Sequence, residues 1–234
     1  MLADVRSLIL AATPAQSSQL KTIFSDKPEG IRRKFESPPA LRENGWSLRT
    51  SDQAKFVRGE LIRVESHRTV ADLYRDGTLI FAGHISAELL AWSDTSDITI
   101  HPLALVELVT NFTRFYALVL DDFRAVPDRI LFSVSMRHLH LDGKKNTLPA
   151  GPVGEDIMWK FYTRSLRAPA DNWKCTDILI PSTSFDPDHV AYKLLQEIYI
   201  SFGHSDEDIP YLKKLGDSWT VDSDQIAAIG RRRR

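Results

Sequence analysis

The sequence predicts an α+β fold on three observations: a hairpin signal at Arg75-Asp76-Gly77-Thr78, an almost wholly apolar helical run over residues 103–123, and the alternation of Ile130, Phe132, Val134 and Met136 with Ser133, Ser135 and Arg137. Together they imply an antiparallel meander sheet packed by a buried central helix and by a second amphipathic helix. The 234 residues are 43% hydrophobic, enough apolar material for one sizeable core or two small ones.

Leu8, Ile9, Leu10, Ala11 and Ala12 read as the end of a first short helix, and Asp4 breaks the apolar run that a signal peptide would need. A second helix is expected from Thr13 as N-cap, Pro14 at the first position and Gln16 completing a capping box. Residues 27–49 turn to Pro, Gly and basic side chains, including Arg32, Arg33, Lys34, Pro38, Pro39 and Arg42, which predicts an irregular connecting arm. The expected organisation is therefore helices and a basic arm over 1–45, an α+β core domain over 46–204, and an acidic tail over 205–234 that ends in an arginine cluster.

Within the core, Leu61, Ile62 and Val64 mark a strand over 60–66 ahead of the hairpin. If Asp76 and Gly77 fill a two-residue turn, Tyr74 stands opposite Leu79, Leu73 opposite Ile80 and Asp72 opposite Phe81. Both faces then carry apolar side chains, so the sheet is expected to be covered on both sides at least in part. Pro102 opens the long helix, which is polar only along a narrow stripe of Glu107, Asn111, Arg114 and Asp121. Such a helix belongs in a core, and its polar stripe argues against a bilayer span.

After Pro127 comes the alternating strand, ending at Asp142-Gly143. Residues 149–172 read as a Pro- and Gly-rich connection holding one short helix around Ile157, Met158, Phe161 and Tyr162, and 175–180 as a short strand stopped by Pro181. Asp186-Pro187 then caps a helix that carries Val190, Leu194, Ile198, Tyr199 and Phe202 on one face.

The formal net charge of −1 means that the chain as a whole does not attract nucleic acid or an acidic membrane, although local patches can. Cys175 is the sole cysteine, which excludes an intramolecular disulfide and fits a reducing compartment, so the cytoplasm is the expected location.

Few residues suggest chemistry. His138 and His140 are two apart on the expected strand and would project from one face with Asp142, but two imidazoles fall short of a metal site, and a solvent-facing strand end is the simpler reading. Asp186 and Asp188, Asp206 and Asp208, and Asp222 and Asp224 form Asp-x-Asp pairs of the kind that hold divalent cations. A helix N-terminus accounts for the first pair, and solvation in a polar tail for the other two. Gly143-Lys144-Lys145-Asn146 lacks the first glycine and the hydroxyl of a phosphate loop and reads as a basic hairpin tip. No cofactor is implied. Arg32, Arg33, Lys34 and Arg42 in the arm, Lys144 and Lys145 at the tip, and the arginines 231–234 are the candidate phosphate contacts of a nucleic-acid-binding protein. Phe35 and Trp46 lie near the arm without forming a recognisable stacking platform.

The run Pro39-Ala40-Leu41-Arg42-Glu43-Asn44-Gly45-Trp46, followed by Leu73-Tyr74-Arg75-Asp76-Gly77-Thr78-Leu79-Ile80-Phe81 and the helix over 105–118, resembles the region downstream of the AlbA-like domain in bacterial Schlafen-type proteins. The likeness spans about residues 30–145 and excludes the AlbA-like domain itself. It implies a bacterial, cytosolic accessory module that works beside a DNA-binding or effector component, and no functional residue carries over. The first expectation is thus a non-catalytic interaction or sensing module that binds a protein partner or itself, with no membrane role. Nucleic-acid binding through the basic arm and tip is the alternative, and a metal-dependent hydrolase built on His138 and His140 the third reading.

Overall fold

The computed structural model describes residues 5–15, 28–43, 45–48, 53–59, 61–86, 89–93, 97–123, 126–150 and 164–229. Along the chain lie β1 (Ser7–Ala15), α1 (Pro28–Glu36), β2 (Lys55–Val57), β3 (Leu61–Glu65), β4 (Thr69–Tyr74), β5 (Leu79–His84), β6 (Ala91–Ser93), β7 (Ile98–Ile100) and α2 (Pro102–Leu120). They are followed by β8 (Arg129–Arg137), β9 (Asn146–Ala150), β10 (Arg164–Arg167), β11 (Trp173–Lys174), β12 (Ile178–Pro181), α3 (Pro187–Ser201), β13 (Leu212–Leu215), β14 (Ser218–Val221) and α4 (Ser223–Ile229). The fold is α+β.

Period-two alternation builds the largest layer. Leu8, Leu10 and Ala12 of β1 pair in register with Gly83, Phe81 and Leu79 of β5 on one side and with Met136, Val134 and Phe132 of β8 on the other. Leu73, Ala71, Ile62 and Val64 extend that buried face across β4 and β3. The sheet has eight antiparallel strands in the order β11-β8-β1-β5-β4-β3-β2, with β12 also on β8. Between β11 and β12, Cys175 bridges the break: its N–H donates to the Val134 carbonyl at 3.0 Å, and its sulfur accepts the Val134 N–H at 3.1 Å. A second sheet, β10-β9-β7-β6, contains the one parallel pair among the described strands, β7 with β9.

Helix α2 packs against β1 of the large sheet, against α3, which itself touches β8, and against α1. Only Arg114, Ala117 and Leu118 escape full burial. By length and composition α2 would reach across a bilayer, contrary to the expectation from its polar stripe, and 83% of its most apolar stretch is buried inside the fold. Tyr116 on α2 donates to the Gly77 carbonyl at 3.3 Å and meets Phe132 edge-to-face, tying the hairpin turn and the sheet to the helix.

Four expectations need correction. Residues 7–15 are a strand, not helices, because β1 sits between two other strands with apolar residues on both faces, so no alternation marks it. Thr13 is therefore no N-cap. Pro14 fits because Arg6 O accepts from Ile85 N, which turns the even-numbered backbone groups of β1 toward β5, and Pro14 lies past the last β5 pair, Ala12 with Leu79. The hairpin register differs by one residue: Leu73 faces Leu79 and Asp72 faces Ile80. Tyr74 N donates to Thr78 O at 2.8 Å and Gly77 N to Tyr74 O at 3.0 Å, a three-residue loop in which Gly77 alone is left-handed, at φ 87°.

The arm is not irregular throughout. Pro28–Glu36 is helical because Ile31 and Phe35, one turn apart, bury against α2, where Phe35 meets Phe115 edge-to-face at 4.7 Å. Residues 205–229 form no solvated tail: β13 and β14 make a hairpin against α3, and Ile209, Tyr211, Val221 and Ile226 join the main core. The rest of the expected second helix, the helix around 157–162 and the arginines 231–234 lie outside the described residues.

Candidate functional site

The polar stripe on α2 places a carboxylate, an amide and a guanidinium at intervals of four and three residues on one helix face, and each fastens a different segment. Glu107, fully buried, accepts from Arg42 Nε at 2.6 Å and from its terminal nitrogen at 2.8 Å, and also takes the Trp46 N–H at 3.2 Å. The Arg42 guanidinium lies 5.6 Å from the Trp46 ring centroid. Its pKa is raised, first by the hydrogen bonds to Glu107, against the opposing effect of burial. Asn111 donates to the Trp46 carbonyl at 2.7 Å, and the indole N–H donates to Leu89 O at 2.6 Å. A Cβ on Gly45 would stand 2.5 Å from Glu107 Oε1, so this loop passes the carboxylate only as glycine.

One turn beyond Asn111, Arg114 clasps Asp188 at 2.8 Å through two nitrogens and donates to Ser223 Oγ at 2.7 Å, while that hydroxyl donates to Asp188 at 2.7 Å. The starts of α3 and α4 are thereby locked to α2. His101, the N-cap of α2, packs on Trp46 at 4.9 Å between centroids. Burial, then the Arg42 charge, lowers its pKa to about 4.

Three of the basic residues that the sequence offers as phosphate contacts are engaged within the fold. Arg32 pairs with Glu29 and Glu36 along α1; Lys34 pairs with Asp122 at 2.7 Å and donates to the Leu118 carbonyl at 2.6 Å; Arg42 belongs to Glu107. Arg33 and Lys145 are exposed, and Lys144 is half-buried.

His138 and His140 are not neighbours on a strand face. Strand β8 stops at Arg137, and His138 takes a left-handed φ of 56°, which breaks the alternation. The His140 ring nitrogen Nε2 bonds the Ala168 carbonyl at 2.8 Å, and the His138 and His140 N–H groups donate to Asn172 and Asp171. Arg6 donates to the carbonyls of Leu141 and Lys144 and holds the loop that follows. Among the described residues no group of three or more His, Cys, Asp or Glu is arranged to hold a metal ion.

The Asp-x-Asp pairs have separate duties. Asp186 caps α3 by accepting from Asp188 N and His189 N, and Asp208 accepts from the Ser205 N–H and hydroxyl. Asp222 and Asp224 both face Lys213, at 3.6 and 3.7 Å. Asp206 differs in its setting. It accepts from Tyr192 O–H at 3.1 Å and from Gln196 Nε2 at 2.8 and 2.9 Å, and it lines a recess of about 280 Å³ together with Glu207, Tyr211, Trp219 and Gln225. Burial, followed by the hydrogen bond to Asp206 and its charge, pushes the Tyr192 pKa up to about 12.

Tyr211 forms this recess in a left-handed conformation, φ 59°, which costs a non-glycine residue about 1–3 kcal/mol and persists only where its surroundings enforce it. The enforcing contact is the hydrogen bond from Asp222 N to the Tyr211 carbonyl, 2.7 Å, which closes the hairpin base. Reading 205–234 as a polar tail passes over the recess. Its signal is nevertheless present: Tyr211, Leu212 and Trp219 bracket Gly216, a turn glycine at φ 62°. Comparison with family models, curated proteins and solved structures finds no match to this chain.

Proposed function

We propose that this protein is a non-catalytic interaction module whose recognition element is the recess between the 206–212 segment, the β13–β14 hairpin and α4. The observation that carries the reading is the recess itself, where aromatic and carboxylate side chains line one concave surface. Binding sites combine such apolar walls with a few convergent polar groups, and Trp and Tyr dominate the energetics of protein interfaces. The paired ionisable groups support it from the other side: Glu107, Arg42, Arg114, Asp188, Arg63 and Asp72 are all held in two-pronged pairs that fasten loops and strands. The resemblance of residues 30–145 to the region beside the AlbA-like domain of Schlafen-type proteins favours a bacterial, cytosolic module accessory to a DNA-binding or effector component.

A photocrosslinking side chain placed at Gln225, an exposed residue lining the recess, tests this in the cell of origin, with Lys145 as a second labelling position. The expected result is a discrete polypeptide adduct at position 225, another copy of this chain included, that disappears on Trp219→Ala. Absence of an adduct at 225, or nucleic acid crosslinked through position 145 instead, overturns the reading.

A further inference from the structure

The fold contains an internal example of how it holds a guanidinium. Arg42 lies over the Trp46 ring at 5.6 Å and is clasped from the side by both oxygens of Glu107. The recess repeats those ingredients without the cation: Trp219 and Tyr211 form aromatic wall, Asp206 and Glu207 supply carboxylates, and among the described residues its lining contains no Lys or Arg. We propose that the recess binds a guanidinium group carried on an arginine side chain, an assignment that rests on the interaction-module reading and names what the module recognises.

Size limits the occupant. At about 280 Å³ the recess is at or below the range of roughly 300–1,000 Å³ typical of small-molecule pockets, which suits one side chain better than a nucleotide or a cofactor. Charge selects its sign. Two carboxylates reject anions, and Arg42, whose charge acts on Tyr211, is already neutralised by Glu107.

Shape favours guanidinium over ammonium. A planar cation can stack on an indole while its edge meets a carboxylate, whereas an ammonium ion is a compact point charge that gains less from a flat wall. Asp206 is fixed by Tyr192 and Gln196, which both donate to it and orient its carboxylate before any ligand arrives. Glu207 is exposed and free of that constraint, so it can close on the group from the rim.

The probe is N-acetyl-L-arginine amide, titrated into the full chain while the Trp219 indole N–H is followed by NMR, with Trp219→Phe providing the assignment. A saturable shift is expected, with N-acetyl-L-citrulline amide, the neutral near-isostere, at least about tenfold weaker, because the charge-assisted bonds and the cation–π contact are lost. Asp206→Asn with Glu207→Gln should weaken the arginine probe by a similar factor. Should the double variant fail to fold, judged by the Trp46 indole resonance, Glu207→Gln alone decides. No saturable shift, equal affinity for citrulline, or equal affinity for N-acetyl-L-lysine amide overturns the assignment. Two sources of arginine are separated by replacing the four arginines 231–234 with alanine. Tighter probe binding in that variant means that the chain's own arginines compete for the recess, and unchanged binding assigns it to a separate polypeptide. Adducts at position 225 without arginine binding would sink this ligand but leave the module reading intact, and arginine binding without adducts would do the reverse.

Discussion

Glu107 and Glu207 are both carboxylates set near a tryptophan, yet one is sealed under an arginine from its own chain and the other opens to solvent. The difference lies in how each segment is held. Arg42 and the Trp46 N–H reach Glu107, while the Trp46 carbonyl is held by Asn111 and its indole N–H by Leu89 O, so the cation and its cradle are fastened together. In the recess the carboxylate of Asp206 is braced by α3 and the aromatic wall by the hairpin. The same trio of aromatic ring, carboxylate and guanidinium thus fastens one part of the molecule and, in our proposal, recognises a partner in the other.

The sharpest break of this comparison comes from truncation. Glu107→Ala or Arg42→Ala leaves an uncompensated charge in or near the core and should lower unfolding stability by about 3–5 kcal/mol in a denaturant titration. A loss below about 1 kcal/mol would mean that the pair is not sealed. Acid should find the same cradle. The folded His101 pKa is about 4, below its ordinary 6.5, so between those values the unfolded chain binds a proton that the folded one refuses. Stability contributed by His101 is therefore present in full above pH 6.5 and falls as pH drops toward 4, by about 3 kcal/mol in total. His101→Asn, which retains an N-cap acceptor, should flatten that part of the stability–pH profile.

Gly45→Ala probes fit rather than charge. The added methyl would meet Glu107 Oε1 at 2.5 Å and should cost about 1–3 kcal/mol, an effect that largely vanishes in a Glu107→Ala background. At the other end of the scale, Glu207→Gln should change stability by no more than about 0.5 kcal/mol, since Glu207 is exposed. A larger change would place it among the fastening residues and erase the contrast with Glu107.

Legibility in the sequence followed the same division between periodic and non-periodic segments. Strand β8, helix α2 from Pro102 and the Asp186 cap of α3 were readable because alternation, continuous apolarity and capping chemistry are local. Strand β1 was hidden because the second face of this inner strand carries Ile9 and Ala11, with polar residues only toward its ends at Ser7 and Thr13, too few to mark a period of two. The hairpin register turned on one dihedral: a two-residue type I′ turn needs left-handed geometry at two positions, and Asp76 does not adopt it. Helix α1 was masked by its basic residues, although Ile31 and Phe35 stand one turn apart. The stripe of Glu107, Asn111 and Arg114 was visible as polarity, whereas its partners come from 65 and 74 residues away and from further along the chain. The recess was the least legible feature, because its parts are scattered from Asp206 to Gln225 among residues that look merely hydrophilic.

The sulfur of Cys175 sits where a neighbouring strand would normally supply a carbonyl to Val134. Since this is the sole thiol in the sequence and burial raises its pKa, an alkylating reagent can capture it only while that margin of the sheet is detached. The rate of iodoacetamide capture under native conditions is therefore a built-in clock for edge fraying, readable without any engineered label.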